Sequence, residues 1–299
     1  MSGLTQTGKH LYASELYARA LSHIGRAVPA PAWSSFVLAR PLPGGDGEDA
    51  IGAYPLAVID PAADIEAGLS ALAETGLVSV VLVPDPLAGP GADRLSAAFS
   101  LCRQFKTHYL IESARPFEPS KHHRDRIRRG ARRCRVERVV LRDHLETWEQ
   151  LYAGLVDRRD IRGSADFTAS YFEQLAQAPE LVALMALVED RPAAMTLWFQ
   201  HASIVYNHLT ASSAEGYANG ANYALYGAAI EHFSGAAAMN LGGGAGFDDN
   251  PDDGLATFKR GFANGETKAH LCGAVLDQTR YAELTRGRPP TDFFPAYRG

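Results

Sequence analysis

Hydrophobic and polar residues follow two periods along the chain, which divide it into stretches of strand and helix character. Runs of β-branched and aromatic residues between turn formers predict strands at 36–38, 53–59, 78–83 and 107–111. Between them, Asp64 to Glu74 places Ile65, Leu69 and Leu72 at spacings of four and three behind a capping aspartate. Asp93 to Phe105 repeats that spacing with Leu95, Phe99 and Cys102, so both stretches predict helices. Pro41 to Glu48 and Pro84 to Gly91 hold too much Pro, Gly and Asp to continue either element and predict surface loops.

The second part of the chain opens with a strongly basic helix, capped by Ser120 and running to about Arg133, its charge spread around most of the circumference. A strand at 136–141 follows, then helices at 145–156 and 168–176 joined by the turn Arg158-Arg159-Asp160-Ile161-Arg162-Gly163. From Leu181 the pattern becomes a meander of three strands, 181–188, 193–199 and 204–210, separated by turns at Asp190-Arg191-Pro192 and Gln200-His201. A helix at 221–233, a strand at 238–241, a glycine-rich loop and a strand at 270–276 complete it. The expected fold class is α/β of the α+β kind: two lobes, each with a mixed, mostly antiparallel sheet flanked by helices. The expected domains are 1–138, ending in the basic helix, and 139–299, containing the glycine-rich loop.

Composition narrows the function classes. Of 299 residues 46% are hydrophobic and 21% charged, enough to bury a sizeable core. Cys102, Cys134 and Cys272 are dispersed, with no Cys-x-x-Cys pair, which fits a reducing compartment and buried thiols rather than a disulfide framework or zinc knuckle. The N-terminus shows no cationic start followed by an apolar run, and the longest apolar stretch, 77–83, is too short to span a bilayer. These features predict a cytoplasmic protein without membrane insertion. Net charge is −5, yet residues 121–138 carry nine Lys/Arg against Asp125 and Glu137, a concentration of positive charge suited to a polyanion.

Most motif readings fail on their mechanics. Gly3-Leu4-Thr5-Gln6-Thr7-Gly8-Lys9 has P-loop spacing, but His10 stands where Ser or Thr would hold magnesium and no strand precedes it. Asp248 to Gly254 resembles a calcium loop, with glycine one position late and Lys259 in place of the bidentate glutamate. His122 and His123 are adjacent on a helix and diverge by about 100°, which suits a surface pair better than metal ligation. No metal site is expected. What remains is Leu241-Gly242-Gly243-Gly244-Ala245-Gly246 directly after a strand, then Asp248, Asp249, Asp252 and Asp253, then Phe258-Lys259-Arg260-Gly261-Phe262. Glycines there let backbone N–H groups approach an anion or a polarised carbonyl, and the alternative is a tight turn.

Taken together, the basic helix from Lys121 to Arg129, the strand Val205-Tyr206-Asn207-His208-Leu209, the Leu241 to Gly246 loop and Phe258-Lys259-Arg260-Gly261-Phe262 resemble the Fem-type aminoacyl transferases. These are relatives of the GNAT acetyltransferases built from two GNAT-like lobes, and the match covers roughly 120–285. The resemblance implies amide formation from aminoacyl-tRNA as co-substrate, with no cofactor or metal, because the donor ester is already activated. It assigns Lys259 to the oxyanion or the donor's terminal phosphate or ribose, the alternative being a surface lysine in a loop. Gly242, Gly243, Gly244, Phe258 and Asp253 would line the substrate site, and Lys121, Arg124, Arg128, Arg129 and Arg132 would meet tRNA phosphate. Tyr206 and His208, two apart on one strand face, would line the acceptor site. His208 would take the amine's proton, with Asp248, Asp249, Asp252 and Asp253 competing as base or amine anchor; the alternatives are a hydrogen-bonded core ring for His208 and a solvated loop for the four acids.

The donor choice turns on 210–220, Thr210-Ala211-Ser212-Ser213-Ala214-Glu215-Gly216-Tyr217-Ala218-Asn219-Gly220. An acetyl-CoA enzyme carries Gln/Arg-x-x-Gly-x-Gly/Ala here to grip pyrophosphate; this slot lacks that pattern and adds the negative charge of Glu215, which disfavours acyl-CoA and leaves it as the alternative donor. The chain also lacks the long helical hairpin of some cell-wall members, which favours a small-molecule or peptide amine over a peptidoglycan precursor. A non-catalytic RNA-binding protein on the same fold is the reading from another class.

Overall fold

A computed structural model describes residues 8–246 and 248–299, so the P-loop-like stretch lies, up to Thr7, outside the described residues. In chain order the elements are α1 (Glu15–Ala20), β1 (Arg26–Ala30), β2 (Ser35–Pro41), β3 (Glu48–Gly52), α2 (Ile65–Ala73), β4 (Leu77–Leu82), α3 (Ala92–Ala98) and β5 (Leu101–Glu112). There follow α4 (Lys121–Arg133), β6 (Arg135–Val139), α5 (Leu145–Arg159), α6 (Ala169–Leu175), β7 (Leu181–Val188), β8 (Arg191–His201) and β9 (Ile204–Ser212). The last are α7 (Ala214–Asn219), α8 (Ala221–His232), β10 (Ala238–Asn240), α9 (Gly254–Arg260), β11 (Gly265–Val275) and α10 (Gln278–Thr285). No described helix is long and apolar enough to cross a membrane.

The chain divides into two compact units. One comprises Tyr12–Lys106 with Lys268–Gly299. Its strands run in the order β1-β2-β3-β4-β11, antiparallel except for the parallel pair β3 and β4. Every residue of β4 is buried, as expected of a central strand carrying an unbroken apolar run. Trp33 seats in the core against Gly68 of α2, where a Cβ would lie 1.9 Å from the indole nitrogen. The strand expected at 53–59 is instead irregular chain with an isolated bridge from Ala57 to Pro84, although Leu56 and Ile59 are buried in it. The helix expected to reach Phe105 stops at Ala98. Leu95 and Phe99 bury whether the helix continues or not, so their spacing does not locate its end. Cys102 is therefore a strand residue, and its sulfur lies 3.7 Å from that of Cys272, both thiols free.

Of the described residues, the other unit comprises Thr107–Thr267 with 8–11 at the start of the chain. Its order is β5-β10-β9-β8-β7-β6, with β9 and β10 parallel and the remaining pairs antiparallel. Leu225, Ala229 and Phe233, on and just after α8, bury against Trp198, Val205 and Met239 of the sheet. Trp148, Tyr152, Phe172, Tyr171 and Phe167 form a separate aromatic cluster on and beside α5 and α6.

The boundary expected at 138/139 falls inside this unit. The basic helix α4 buries only a narrow stripe, His123, Ile127 and Gly130, and that stripe docks on α8. Gly130 approaches so closely that a Cβ would lie 2.6 Å from the Gly220 carbonyl oxygen. The following strand β6 then pairs with β7, which ties 121–139 to the later sheet.

One feature of the pairing positions the site. β10 is only three residues long and meets β9 across Ile204–Tyr206, so Asn207 to Ser212 run on past its end. Two parallel strands that stop pairing in this way put the loop after β10 at their carboxyl ends, the usual ligand position in such sheets.

Candidate active site

At that carboxyl end lies the glycine loop, whose shape is set by hydrogen bonds. Asn240, the last residue of β10 and 2% exposed, turns its side chain back so that Oδ1 accepts from Gly242 N at 2.8 Å and contacts His108 Nδ1 at 3.2 Å. Gly242 sits at φ 78°, a conformation that costs residues with a Cβ, and its carbonyl accepts from Tyr109 N at 3.2 Å. Gly244 packs on α9, where a Cβ would meet Asp253 Oδ2 at 3.0 Å.

Helix α9 clamps the loop at two points. Asp253 caps the helix by accepting from Ala256 N at 2.9 Å, and the same oxygen accepts from Ala245 N at 3.0 Å. Burial alone would raise the Asp253 pKa, but these bonds, with the Leu255 N–H and the charge of Arg159, hold it below the usual carboxylate value. Toward the other end of α9, Lys259 Nζ donates to the Gly243 carbonyl at 2.8 Å. Lys259 is 8% exposed and lies in a helix, not in the surface loop considered as its alternative. The glycine run and the lysine are thus brought together. Among the described residues, the N–H groups of Gly243 and Gly244 have no hydrogen-bond partner.

Asp253→Ala removes both the cap and the loop anchor, and is expected to lower unfolding free energy by about 1–2 kcal/mol in urea denaturation. Asp253→Asn, which keeps an acceptor, should recover most of that loss.

The helix is held in turn by α4. His123, expected as half of a surface pair, is 5% exposed and bridges the two helices. Its backbone N–H donates to Ser120 Oγ at 3.2 Å, the hydroxyl meets Nδ1 at 3.0 Å, and Nε2 lies 2.9 Å from the Phe258 carbonyl. That set is satisfied when Nε2 carries the proton, a tautomer assigned from the network. Burial, against the pull of the Phe258 carbonyl and with the charge of His122, keeps its pKa below the ordinary histidine value. The ring abuts Gly261, where a Cβ would fall 1.9 Å from it. Phe258 is half-buried among Tyr223, Tyr226 and Phe262, which carry the underside of the helix.

The other expected site residues lie elsewhere in the unit. Tyr206 is 2% exposed, stacked on Phe199 at 4.9 Å with His10 edge-on at 5.0 Å, inside packed core. His208 is buried where β8 and β9 slip register, and its Nε2 pairs with Tyr171 Oη at 2.6 Å. Burial lowers its pKa to about 3, so its basic nitrogen is both engaged and a weak proton acceptor at neutral pH. A lowered histidine pKa has a stability consequence. Between pH 6.5 and about 3 the unfolded chain binds a proton that the folded chain excludes, so this contribution is complete above pH 6.5 and is lost as pH falls. Denaturant titrations at pH 7.5 and 5.0 should show the wild type losing ~2 kcal/mol more than His208→Gln.

Asp248 is exposed on the loop after the glycines, whereas Asp249 is tied by both oxygens to Thr107, at 2.8 Å from its N–H and 2.7 Å from its hydroxyl. Lys121, Arg124, Arg128, Arg129 and Arg132 are all exposed on α4, Arg124 reaching the Pro119 carbonyl and Arg128 lying 3.9 Å from Asp125. Sequence reasoning missed Asn240, His123 and the capping role of Asp253. Asn two residues before glycine, and Ser three before histidine at a helix start, were readable turn and cap patterns.

Comparison with known proteins places this geometry. The family model for the acetyltransferase (GNAT) domain matches residues 121–260, which holds α4, the β7–β9 meander, the glycine loop and Lys259. No curated protein matches the chain. Among solved structures, FemX is similar over 94% of this chain and 96% of its own, with 14% identity and a TM-score of 0.63. The C-terminal domain of a putative lysylphosphatidylglycerol synthetase from Agrobacterium fabrum is similar over 91% and 89%, with 16% identity and a TM-score of 0.61. L-PGS from Bacillus licheniformis follows over 92% and 95%, at 11% identity and 0.56. The chain carries the Fem-like GNAT acyltransferase fold.

Proposed function

We propose that this chain is an acyltransferase that forms an amide between the aminoacyl group of an aminoacyl-tRNA and the amine of a small molecule or peptide. The observation that carries the reading is the contact of Lys259 with the glycine loop at the carboxyl end of β10. An ammonium held there suits the oxyanion that develops on an ester carbonyl under attack. The amine nitrogen bonds to that carbon, the carbon–oxygen bond to the ribose breaks, and the ribose oxygen takes a proton. Since the ester is already activated, positioning and charge stabilisation supply most of what the step needs. The proton leaving the amine goes to Asp248, an exposed carboxylate on the loop that follows the glycines. Exposed cations on α4 suit the phosphates of the donor.

A second reading, an acyl-CoA-dependent N-acyltransferase, is favoured by the match to the GNAT acetyltransferase domain. The 210–220 slot counts against it. Gly216 is packed so that a Cβ would lie 2.3 Å from the Ala193 carbonyl oxygen, its N–H is taken by Ser213, and Glu215 adds a negative charge paired to Arg191. Purified protein incubated with labelled aminoacyl-tRNA in one tube, labelled acetyl-CoA in another and a panel of amines in both separates the two. Amide label from the first tube alone supports the proposal, and label leaving only CoA retires it.

A further inference from the structure

The end of α5 has no part in the mechanism above, yet it is bonded to the carboxyl end of β9. Arg158 Nη2 donates to the Ser212 carbonyl at 2.5 Å, at the carboxyl end of β9, and its guanidinium lies over the Tyr217 ring, 5.2 Å from the centroid. Tyr217, on α7, is 46% exposed, an unusual position for a large aromatic side chain. The next residue, Arg159, is exposed, its guanidinium has no hydrogen-bond partner among the described residues, and its charge reaches the Asp253 carboxylate that anchors the glycine loop. Two adjacent guanidiniums therefore lie on this side of the unit, Arg158 bonded at Ser212 and Arg159 with its charge felt at Asp253. An exposed ring steadied by a cation is a platform on which a base stacks, and a neighbouring guanidinium suits the attached phosphate.

We propose that Tyr217, Arg158 and Arg159 dock the terminal nucleotide of the acyl donor, the ring stacking on the base and Arg159 meeting its phosphate. This rests on the transferase reading for its place in the reaction, but nucleotide binding stands apart from turnover. The required chemistry is a purine-like ring carrying phosphate, which a CCA-ended RNA and the adenosine end of CoA both offer. Arg158 is a positioning residue here, since its guanidinium lies over the ring while bonded to Ser212 at the end of β9.

The test is fluorescence anisotropy of the full chain with a labelled RNA minihelix ending in CCA, the same minihelix ending in CC, and CoA as competitor. Wild type should prefer the CCA end by about tenfold. Tyr217→Ala should abolish that preference while Tyr217→Phe keeps it, and Arg159→Ala should weaken both RNAs and lower the salt slope by about one. Melting temperatures should not move, since these side chains are exposed. Equal affinity for the two ends in wild type, or a preference untouched by Tyr217→Ala and Arg159→Ala, overturns the inference. Competition by CoA that Tyr217→Ala removes supports the nucleotide site and assigns it to an acyl-CoA donor. Preserved end preference without any amide product sinks the aminoacyl reading and leaves the docking site in place.

Discussion

Lys259→Met is expected to lower kcat for amide formation by about 10²–10³-fold, the loss typical of removing one donor from a preorganised oxyanion site. The substitution keeps the length and apolar stem of a side chain that is 8% exposed, so α9 stays packed and the melting temperature should hold. The Gly243 carbonyl that loses its donor is partly exposed and is satisfied by water. If the ammonium acts on charge that appears only during attack, kcat falls while KM stays; if it only holds the donor, KM rises instead. Steady-state kinetics beside a circular dichroism melt reads both. Unchanged kcat/KM with intact folding would remove Lys259 from the mechanism.

The second large effect concerns the seat of the basic helix, and its sign opposes helix propensity. Gly→Ala within a helix ordinarily stabilises by about 1 kcal/mol. At Gly130 the added Cβ would lie 2.6 Å from the Gly220 carbonyl oxygen and 3.2 Å from Ala224 N, and neither backbone atom yields cheaply. Gly130→Ala is therefore expected to destabilise by about 2–3 kcal/mol, the scale of overpacking a close contact. Gly154→Ala in α5 is the control: its new Cβ meets only the flexible end of Arg158, at 3.4 Å, so that variant should melt higher than wild type. Thermal unfolding of both should move in opposite directions. A rise for Gly130→Ala would mean that α4 does not dock on α8 as described.

Sequence alone made the local elements of the second unit legible, because its strands alternate cleanly and its helices carry caps. The meander from Leu181, the cap at Ser120 and the glycine run after Ala238-Met239-Asn240 all fall where expected. A place for Lys259 beside the loop was legible only through the resemblance to the Fem-type family; the residues alone allowed a surface lysine. Burial was not legible. A period of two puts Tyr206 and His208 on one strand face but does not say what covers that face, and here it is packed aromatic side chains. Four acids in six residues look like solvated loop, yet Asp253 is a helix cap and Asp249 a backbone anchor, roles fixed by residues far away in sequence. Division into units was hidden for the same reason: Lys268–Gly299 joins Tyr12–Lys106 through contacts no local pattern reveals.

The central claim is that the glycine loop and Lys259 together hold the donor's acyl carbonyl. It is tested most directly by ¹⁵N-glycine NMR of the chain titrated with an aminoacyl-adenosine analogue in which an amide replaces the labile ester. The account predicts that resonances of Gly242, Gly243 and Gly244 move together and saturably, and that Lys259→Met weakens the titration. Saturable shifts confined to glycines outside the loop, or loop shifts indifferent to Lys259→Met, would contradict it.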